Sequence, residues 1–311
     1  MIKDFAGQEG PVNGIFMIKQ ATEAVSNSGT HYLSLTLQDT SGSIDAKKWA
    51  IEDGDVTLCT PGSLIRINGM ASVYRGHPQL KINDLEPVEL SEVDISKYVP
   101  MAPTPIEEMK KTLDSYIELI EDKELHDLTK KVISDRYEKY TTYPAAVTVH
   151  HAFVGGLMYH SLSICSMALK TVEQYPELSR DYLVAGSLLH DIGKTVELSG
   201  ATATSYTEEG NLLGHISLGA MIVYSTGKEL HVQDEKLTVL THMILAHHGE
   251  YDFGSPKEPM TAEAFVLHEL DELDAKLATL KNAYDTTSEG SFTGRIVWMD
   301  NQNFYKPHKL K

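Results

Sequence analysis

The chain has 311 residues, 41% of them hydrophobic and 23% charged, with a formal net charge of −17. That length suits two domains, and ordinary globular usage excludes a fibrous or largely disordered protein. A strongly acidic chain repels polyanions at long range, so nucleic acid would have to be met by a local basic groove or by bound cations.

The opening residues, Met1 to Gln8, lack the basic-then-apolar order of a secretory signal, and no apolar run approaches the ~18 residues of a spanning helix. A cytoplasmic protein without a membrane partner is expected. Cys59 and Cys165 lie too far apart for a Cys-x-x-Cys site, so a disulfide framework is not expected. A homo-oligomer is compatible with all of this.

Residues 12 to 85 read as strands. In His31 to Asp39, Leu33, Leu35 and Leu37 alternate with Tyr32, Ser34 and Thr36, the period of a half-buried strand. Val12 to Gln20, Ser43 to Trp49, Ser63 to Tyr74 and Gln79 to Leu85 complete a set of five, separated by Gly-bearing turns. Five such strands match an OB-fold, a small barrel whose face and loops commonly bind oligonucleotides. We assign residues 1–86 to this barrel, and its Tyr32-x-Ser-Leu-x-Leu-x-Asp39, Ser41-Gly-Ser-Ile-x-Ala46, Ile67-x-Gly69, Tyr74-Arg-Gly76 and Gln79-Leu-x-Ile82 resemble nucleic-acid-binding OB domains.

Pro87, Pro100, Pro103 and Pro105 mark a Pro-rich linker over residues 87–105. Apolar spacings of three and four then predict helices over 106–120, 125–138, 156–175, 180–191, 213–229, 236–246 and 262–284, an all-α domain over 106–284. Residues 285–311, with Phe292, Trp298, Phe304 and Tyr305, form a tail expected to pack on either domain.

His190-Asp191 closes an apolar helical stretch and offers imidazole nitrogen beside carboxylate oxygen, a mixed donor set suited to Mn²⁺, Fe²⁺, Co²⁺ or Zn²⁺. Taken singly, the dipeptide is more often a helix-end histidine and a capping aspartate. Its company changes that reading: His160 precedes it, and Gly214-His215, His247-His248-Gly249 and Leu270-Asp271-x-x-Asp274 follow. From His151 to Lys276 these ordered blocks, with His190-Asp191-x-Gly-Lys194, resemble the HD-domain phosphohydrolase family.

The resemblance implies that His160, His190, Asp191 and Asp271 hold one metal ion, and that Asp191, shared, holds a second with His215, His247 and His248. Two cations ~3.5–4 Å apart acidify water and neutralise the attacking and leaving oxygens at phosphorus, so a phosphate ester is the expected substrate. Lys194 is read as a phosphate contact or a leaving-group aid, against a basic residue at a helix C-terminus. Asp274, one turn beyond Asp271, either orients a ligand or faces solvent, and His151 either binds substrate phosphate or supports a ligand. Glu197 to Asn211 is polar and reads as an active-site loop.

An OB-like domain before an HD domain, with His151-x-Phe-Val-Gly-Gly-Leu, His190-Asp-Ile-Gly-Lys-Thr and Phe253-Gly-Ser-Pro-Lys257, resembles the YhaM-type 3′-to-5′ exoribonucleases over essentially the whole chain. That resemblance implies two divalent ions, Mn²⁺ before the others, single-stranded RNA as substrate, with single-stranded DNA as an alternative, and nucleoside 5′-monophosphates as products. Tyr32, Trp49 and Tyr74 are the candidate base-stacking aromatics, with core packing as the alternative for each. Arg75, Lys81, Arg66, Lys47 and Lys48 are the candidate backbone contacts, although residues 1 to 90 hold seven Lys/Arg against eleven Asp/Glu. Two other functions compete: a phosphodiesterase for cyclic dinucleotides or small nucleotides, which the missing Gly-Tyr-Pro after His248 disfavours, and a non-catalytic nucleic-acid-binding scaffold.

Overall fold

A computed structural model describes every residue except Ala50, Leu90, Ser91, residues 148–150 and Lys311, and leaves the Phe253 side chain undescribed. His150, paired with His151 in the sequence, therefore lies outside the described residues. The chain divides into two compact units, Met1–Met101 with Gly200–Ser205, and Ala102–Ser199 with Tyr206–Lys311.

In the first unit, a short helix α1 (Ile2–Phe5) precedes β1 (Gly10–Val25), β2 (His31–Asp39), β3 (Gly42–Trp49), a second short helix α2 (Asp55–Leu58), β4 (Leu64–Tyr74) and β5 (His77–Val88). The strands close into a barrel in the order β1-β2-β3-β5-β4. Strand β1 does double duty: Gly10–Met17 pairs with β4, then, across an irregularity between Ile18 and Gln20, the strand bends and pairs with β2. A parallel ladder between Asp45–Lys48 and Gln79–Ile82 completes the ring. Five antiparallel strands closed by one parallel pair are the OB-fold. The alternation seen in the sequence fills the interior, where Ile18, Leu33, Leu35, Leu37, Ile65, Leu80 and Ile82 are buried. A 3-10 turn at Ile95–Lys97 follows the barrel, and Thr40 N–H donates to the Lys97 carbonyl (3.2 Å), so part of the Pro-rich stretch lies on this unit.

The second unit carries α3 (Ile106–Ile117), α4 (Lys123–Ser134), α5 (Tyr137–Thr142), α6 (Gly156–Gln174), α7 (Arg180–Leu189), α8 (Lys194–Glu197), α9 (Glu208–Glu229), α10 (Asp234–Ala246) and α11 (Ala262–Asp285). Its core runs from Leu113 and Leu128 through Leu157, Ile164, Leu183 and Leu188 to Leu240, Ile244 and Leu267. Helix starts follow local chemistry: Asp122 accepts from Glu124 N and Leu125 N, Ser179 from Tyr182 N, and Thr261 from Ala264 N. The tail ends in two short paired strands, β6 (Ser291–Phe292) and β7 (Tyr305–Lys306), and Lys306 Nζ donates to the carbonyls of Tyr284 (2.6 Å) and Thr287 (2.7 Å) at the end of α11. No helix among the described residues is long and apolar enough to cross a membrane.

Candidate metal centre

The sequence places two histidines, His190 and His247, just past apolar helices, and the structure shows why. A helix leaves its last carbonyls without intrahelical donors. His190 ends α7 and donates Nδ1–H to the Ser187 carbonyl (2.9 Å); His247 ends α10 and donates Nδ1–H to the Ile244 carbonyl (2.6 Å). Each ring closes its own helix and in doing so fixes its tautomer, because a carbonyl can only accept. Nε2 is left as a lone pair pointing into the centre.

His160, in the second turn of α6, and His215, within α9, are oriented instead by carboxylates at Nδ1. Nδ1 of His160 meets Asp274 Oδ2 (2.8 Å), and Nδ1 of His215 meets Glu197 Oε1 (3.1 Å). Four imidazoles thus turn Nε2 toward Asp191, which is buried at 2% exposure. From Asp191 Oδ2, His190 Nε2 lies at 3.4 Å and His160 Nε2 at 3.6 Å; from Oδ1, His215 Nε2 lies at 3.4 Å and His247 Nε2 at 3.7 Å. Asp271 adds Oδ1 at 3.0 Å from His160 Nε2 and 4.0 Å from His190 Nε2. The His248 ring lies 4.5 Å from that of His247 and 5.2 Å from that of His215, centroid to centroid.

Two donor groups emerge around the two oxygens of one carboxylate: His160, His190 and Asp191 with Asp271 beside them, and His215, His247 and His248. Asp191 Oδ1, His215 Nε2 and His247 Nε2 are fully buried and have no hydrogen-bond partner among the described residues. Three electron-pair donors facing one another in a dry interior repel unless a cation sits among them, since burying an unsatisfied polar group costs on the order of 1–3 kcal/mol. The residues therefore fit divalent ions, and their N,O donor set suits Mn²⁺, Fe²⁺, Co²⁺ or Zn²⁺.

The electrostatics point the same way. Burial pushes the Asp191 carboxyl up, but Lys194 and His190 hold it well below the usual carboxylate range. Asp271 behaves alike, with the His160 hydrogen bond overriding burial. His247 is held well below the usual imidazole range by burial and by His248 and His190, which keeps it neutral and ready to ligate. Around His160 the balance reverses: burial would lower it, yet hydrogen bonds to Asp271 and Asp274 raise it to about 9, so its Nε2 would act as a lone-pair donor only where a cation replaces the proton facing Asp271.

Loop geometry brings these side chains together. Gly193 opens α8 where a Cβ would stand 2.0 Å from the His215 carbonyl, so only glycine lets the His190-Asp191 turn close against α9. Gly214, at φ 70° and ψ 154°, breaks α9 and lets a new helical run begin at His215. Helix α11 presents Asp271 and Asp274 on one face, three residues apart.

Lys194 is buried and pairs with Asp191 Oδ2 at 2.6 Å. His151 is buried too, with Nε2 2.7 Å from Asp274 Oδ2, and the Ser163 hydroxyl donates to Asp274 Oδ1. Asp274 thereby collects His151, His160 and Ser163, a ligand-orienting position rather than a solvated one. Five participants have no signal in the sequence. Glu197 reads only as part of the polar loop; the carbonyls of Ser187 and Ile244 carry no side-chain signal; and Ser163 and His268, whose Nδ1 donates to the His247 carbonyl (2.9 Å), belong to none of the motif blocks.

On the barrel, Tyr32 and Trp49 are cross-strand partners with stacked rings, centroids 4.4 Å apart, and Lys47 Nζ lies 5.1 Å from the Tyr32 ring centroid. Lys47 and Lys81 are register neighbours on β3 and β5. Tyr74 and Arg75 occupy the β4–β5 turn, at the other end of that ladder, with Arg75 over the Tyr74 ring. At about 3.3 Å per residue this separates them from the Tyr32–Trp49 stack by roughly 20 Å. Arg66 is exposed on β4. Lys48, grouped with the backbone contacts, is instead buried with Nζ donating to the Asn83 carbonyl (2.8 Å), because it lies on the inward phase of β3.

The HD domain family model matches residues 157–276, the stretch that holds every donor of the centre. The chain is 39% identical over 297 residues to the 3′-5′ exoribonuclease YhaM of Bacillus subtilis (strain 168), covering 95% of both chains. It matches the YhaM of Bacillus velezensis at the same identity and coverage. The second OB-fold domain of replication protein A from Methanococcus maripaludis is similar over 26% of this chain and 84% of that one, at 22% identity and a TM-score of 0.20. A barrel, an HD domain and near-complete coverage at this identity lead to one conclusion: the chain belongs to the family of YhaM 3′-5′ exoribonucleases.

Proposed function

We propose that this protein is a metal-dependent 3′-to-5′ exoribonuclease that hydrolyses phosphodiester bonds of single-stranded RNA and releases nucleoside 5′-monophosphates. The observation that carries the chemistry is the convergence of Asp191 Oδ1, His215 Nε2 and His247 Nε2, buried and unpartnered, next to the His160–His190–Asp271 group. His160, His190, Asp191 and Asp271 would hold one ion and Asp191, His215, His247 and His248 the other, with Mn²⁺ the first choice among the metals this donor set accepts. Divalent ions there would lower the pKa of water and neutralise charge on the phosphate under attack.

The protein's own residues supply position and charge. Asp191 offers one oxygen to each donor group and so ties them together. Lys194 keeps a cation 2.6 Å from Asp191, where a phosphate oxygen or leaving group would benefit from it. His151 acts at one remove, through Asp274, by keeping His160 in its tautomer. On the barrel, the Tyr32–Trp49 stack offers a platform for bases, and Lys47 and Lys81, like charges in adjacent register, are relieved by a phosphate between them. Tyr74 and Arg75 extend that face to the β4–β5 loop, the two places where OB-folds take oligonucleotides.

The test is a 5′-labelled single-stranded RNA incubated with Mn²⁺, products resolved by length. The expected result is a ladder shortening from the 3′ end, abolished by chelator, stalling at stable duplexes, and releasing 5′-monophosphates. Immediate internal cuts, or cleavage confined to cyclic dinucleotides, would overturn the exonuclease reading and leave the metal centre standing. A parallel DNA strand decides whether a contact to the 2′-hydroxyl contributes.

A further inference from the structure

We infer that Glu197 is a positioning residue on which the His215–His247–His248 ion depends; this rests on the two-ion reading above. Glu197 Oε1 accepts from two groups of one residue, the His215 main-chain N–H (2.9 Å) and the ring Nδ1 (3.1 Å). The first contact follows from the break at Gly214. With the helical run restarting at His215, its N–H is a helix-start donor without an intrahelical acceptor, and the Glu197 carboxylate caps it. The second follows from chemistry: a carboxylate can only accept, so Nδ1 carries the proton and Nε2 presents its lone pair 3.4 Å from Asp191 Oδ1.

Glu197 is itself held in place. It is buried, its carbonyl accepts from Thr207 N (2.9 Å), and Gly210 passes so close that a Cβ there would stand 2.4 Å from that carbonyl. Of the four histidines aimed at Asp191, His190 and His247 are locked by main-chain carbonyls and His160 by Asp274. Glu197 is thus the side chain that fixes both the backbone and the ring of a ligand in the second donor group. Its negative charge also makes the imidazole a better donor to a cation.

Full-length wild type, Glu197→Gln and Glu197→Ala are titrated with Mn²⁺ by calorimetry after metal removal, with thermal melting alongside. Wild type is expected to bind two ions. Glutamine keeps an acceptor oxygen for both N–H groups but not the charge, so one of the two ions should bind about 10-fold more weakly with the melting temperature nearly unchanged. Alanine should weaken that same ion about 100-fold, and the other ion should bind as in wild type. Two ions at wild-type affinity in Glu197→Ala would overturn the assignment; if that variant does not fold, unchanged affinity in Glu197→Gln does so. Fewer than two ions in the wild type would instead overturn the two-ion reading, and this assignment with it.

Discussion

The barrel and the helical unit place their chemistry in opposite environments. On the barrel, Tyr32, Lys47, Trp49, Tyr74 and Lys81 stand on the outward phase of their strands, Tyr32 and Lys47 half-buried and the others exposed. In the helical unit, His160, His190, Asp191 and His247 are all 2% exposed or less, and Nδ1 of each of the three imidazoles has an assigned partner. An exposed array adds up small, independent contributions. A buried network in a low dielectric does not, because removing one member leaves the others unsatisfied. The barrel should therefore tune affinity in steps, and the metal centre should fail as a unit.

That contrast can be broken by experiment. The largest effect is expected for Asp191→Ala, which removes the carboxylate shared by both donor groups: hydrolysis should fall to background and Mn²⁺ binding should be lost, while circular dichroism stays native. Near-normal turnover would mean that the groups act separately. The barrel should respond by degrees, Tyr32→Ala and Trp49→Ala each costing about 1–3 kcal/mol in binding of single-stranded RNA, with cleavage of a small chromogenic diester unchanged. Equal losses on both substrates would give the barrel a role in folding rather than in substrate binding.

Two stability variants sharpen the comparison further. Gly193→Ala forces a methyl group against the His215 carbonyl and should cost about 1–3 kcal/mol in urea unfolding as well as metal affinity. The smallest effect is expected at Asp122, which caps α4 away from the centre and pairs with Lys236 (Nζ–Oδ2 2.5 Å). Asp122→Ala should cost about 1 kcal/mol and leave catalysis alone. Burial pushes the Asp122 carboxyl up, but Lys236 and the Glu124 and Leu125 N–H groups hold it below its ordinary value. Its folded-state pKa is depressed, so the stabilisation is complete above the unfolded value of about 3.9 and disappears as pH falls through the folded one. Unfolding curves at pH 7 and pH 3 should show the gap between wild type and variant closing at the lower pH.

Much of the fold was legible because its two periods differ. Leu33, Leu35 and Leu37 could only alternate into one barrel interior, and the Gly-bearing turns set where each strand stops. The histidine and aspartate blocks were legible because side chains able to hold a metal ion come from few residue types, whatever fold brings them together. Glu197 was not, because one carboxylate eighteen residues before a histidine has no local signature, and its role depends on the break at Gly214. The partners of His190 and His247 are backbone atoms, which any sequence supplies. Lys48 shows the converse: read as a phosphate contact from its charge, it sits on the inward phase of β3, where the same alternation that found the strand places it in the interior.

The most direct test of the central claim is anomalous diffraction from crystals grown with Mn²⁺. Two peaks should flank the Asp191 carboxylate, one at Nε2 of His160 and His190 beside Asp271, the other at Nε2 of His215 and His247 beside His248. A single peak, or manganese bound elsewhere with the His215 and His247 Nε2 atoms still unpartnered, would contradict it.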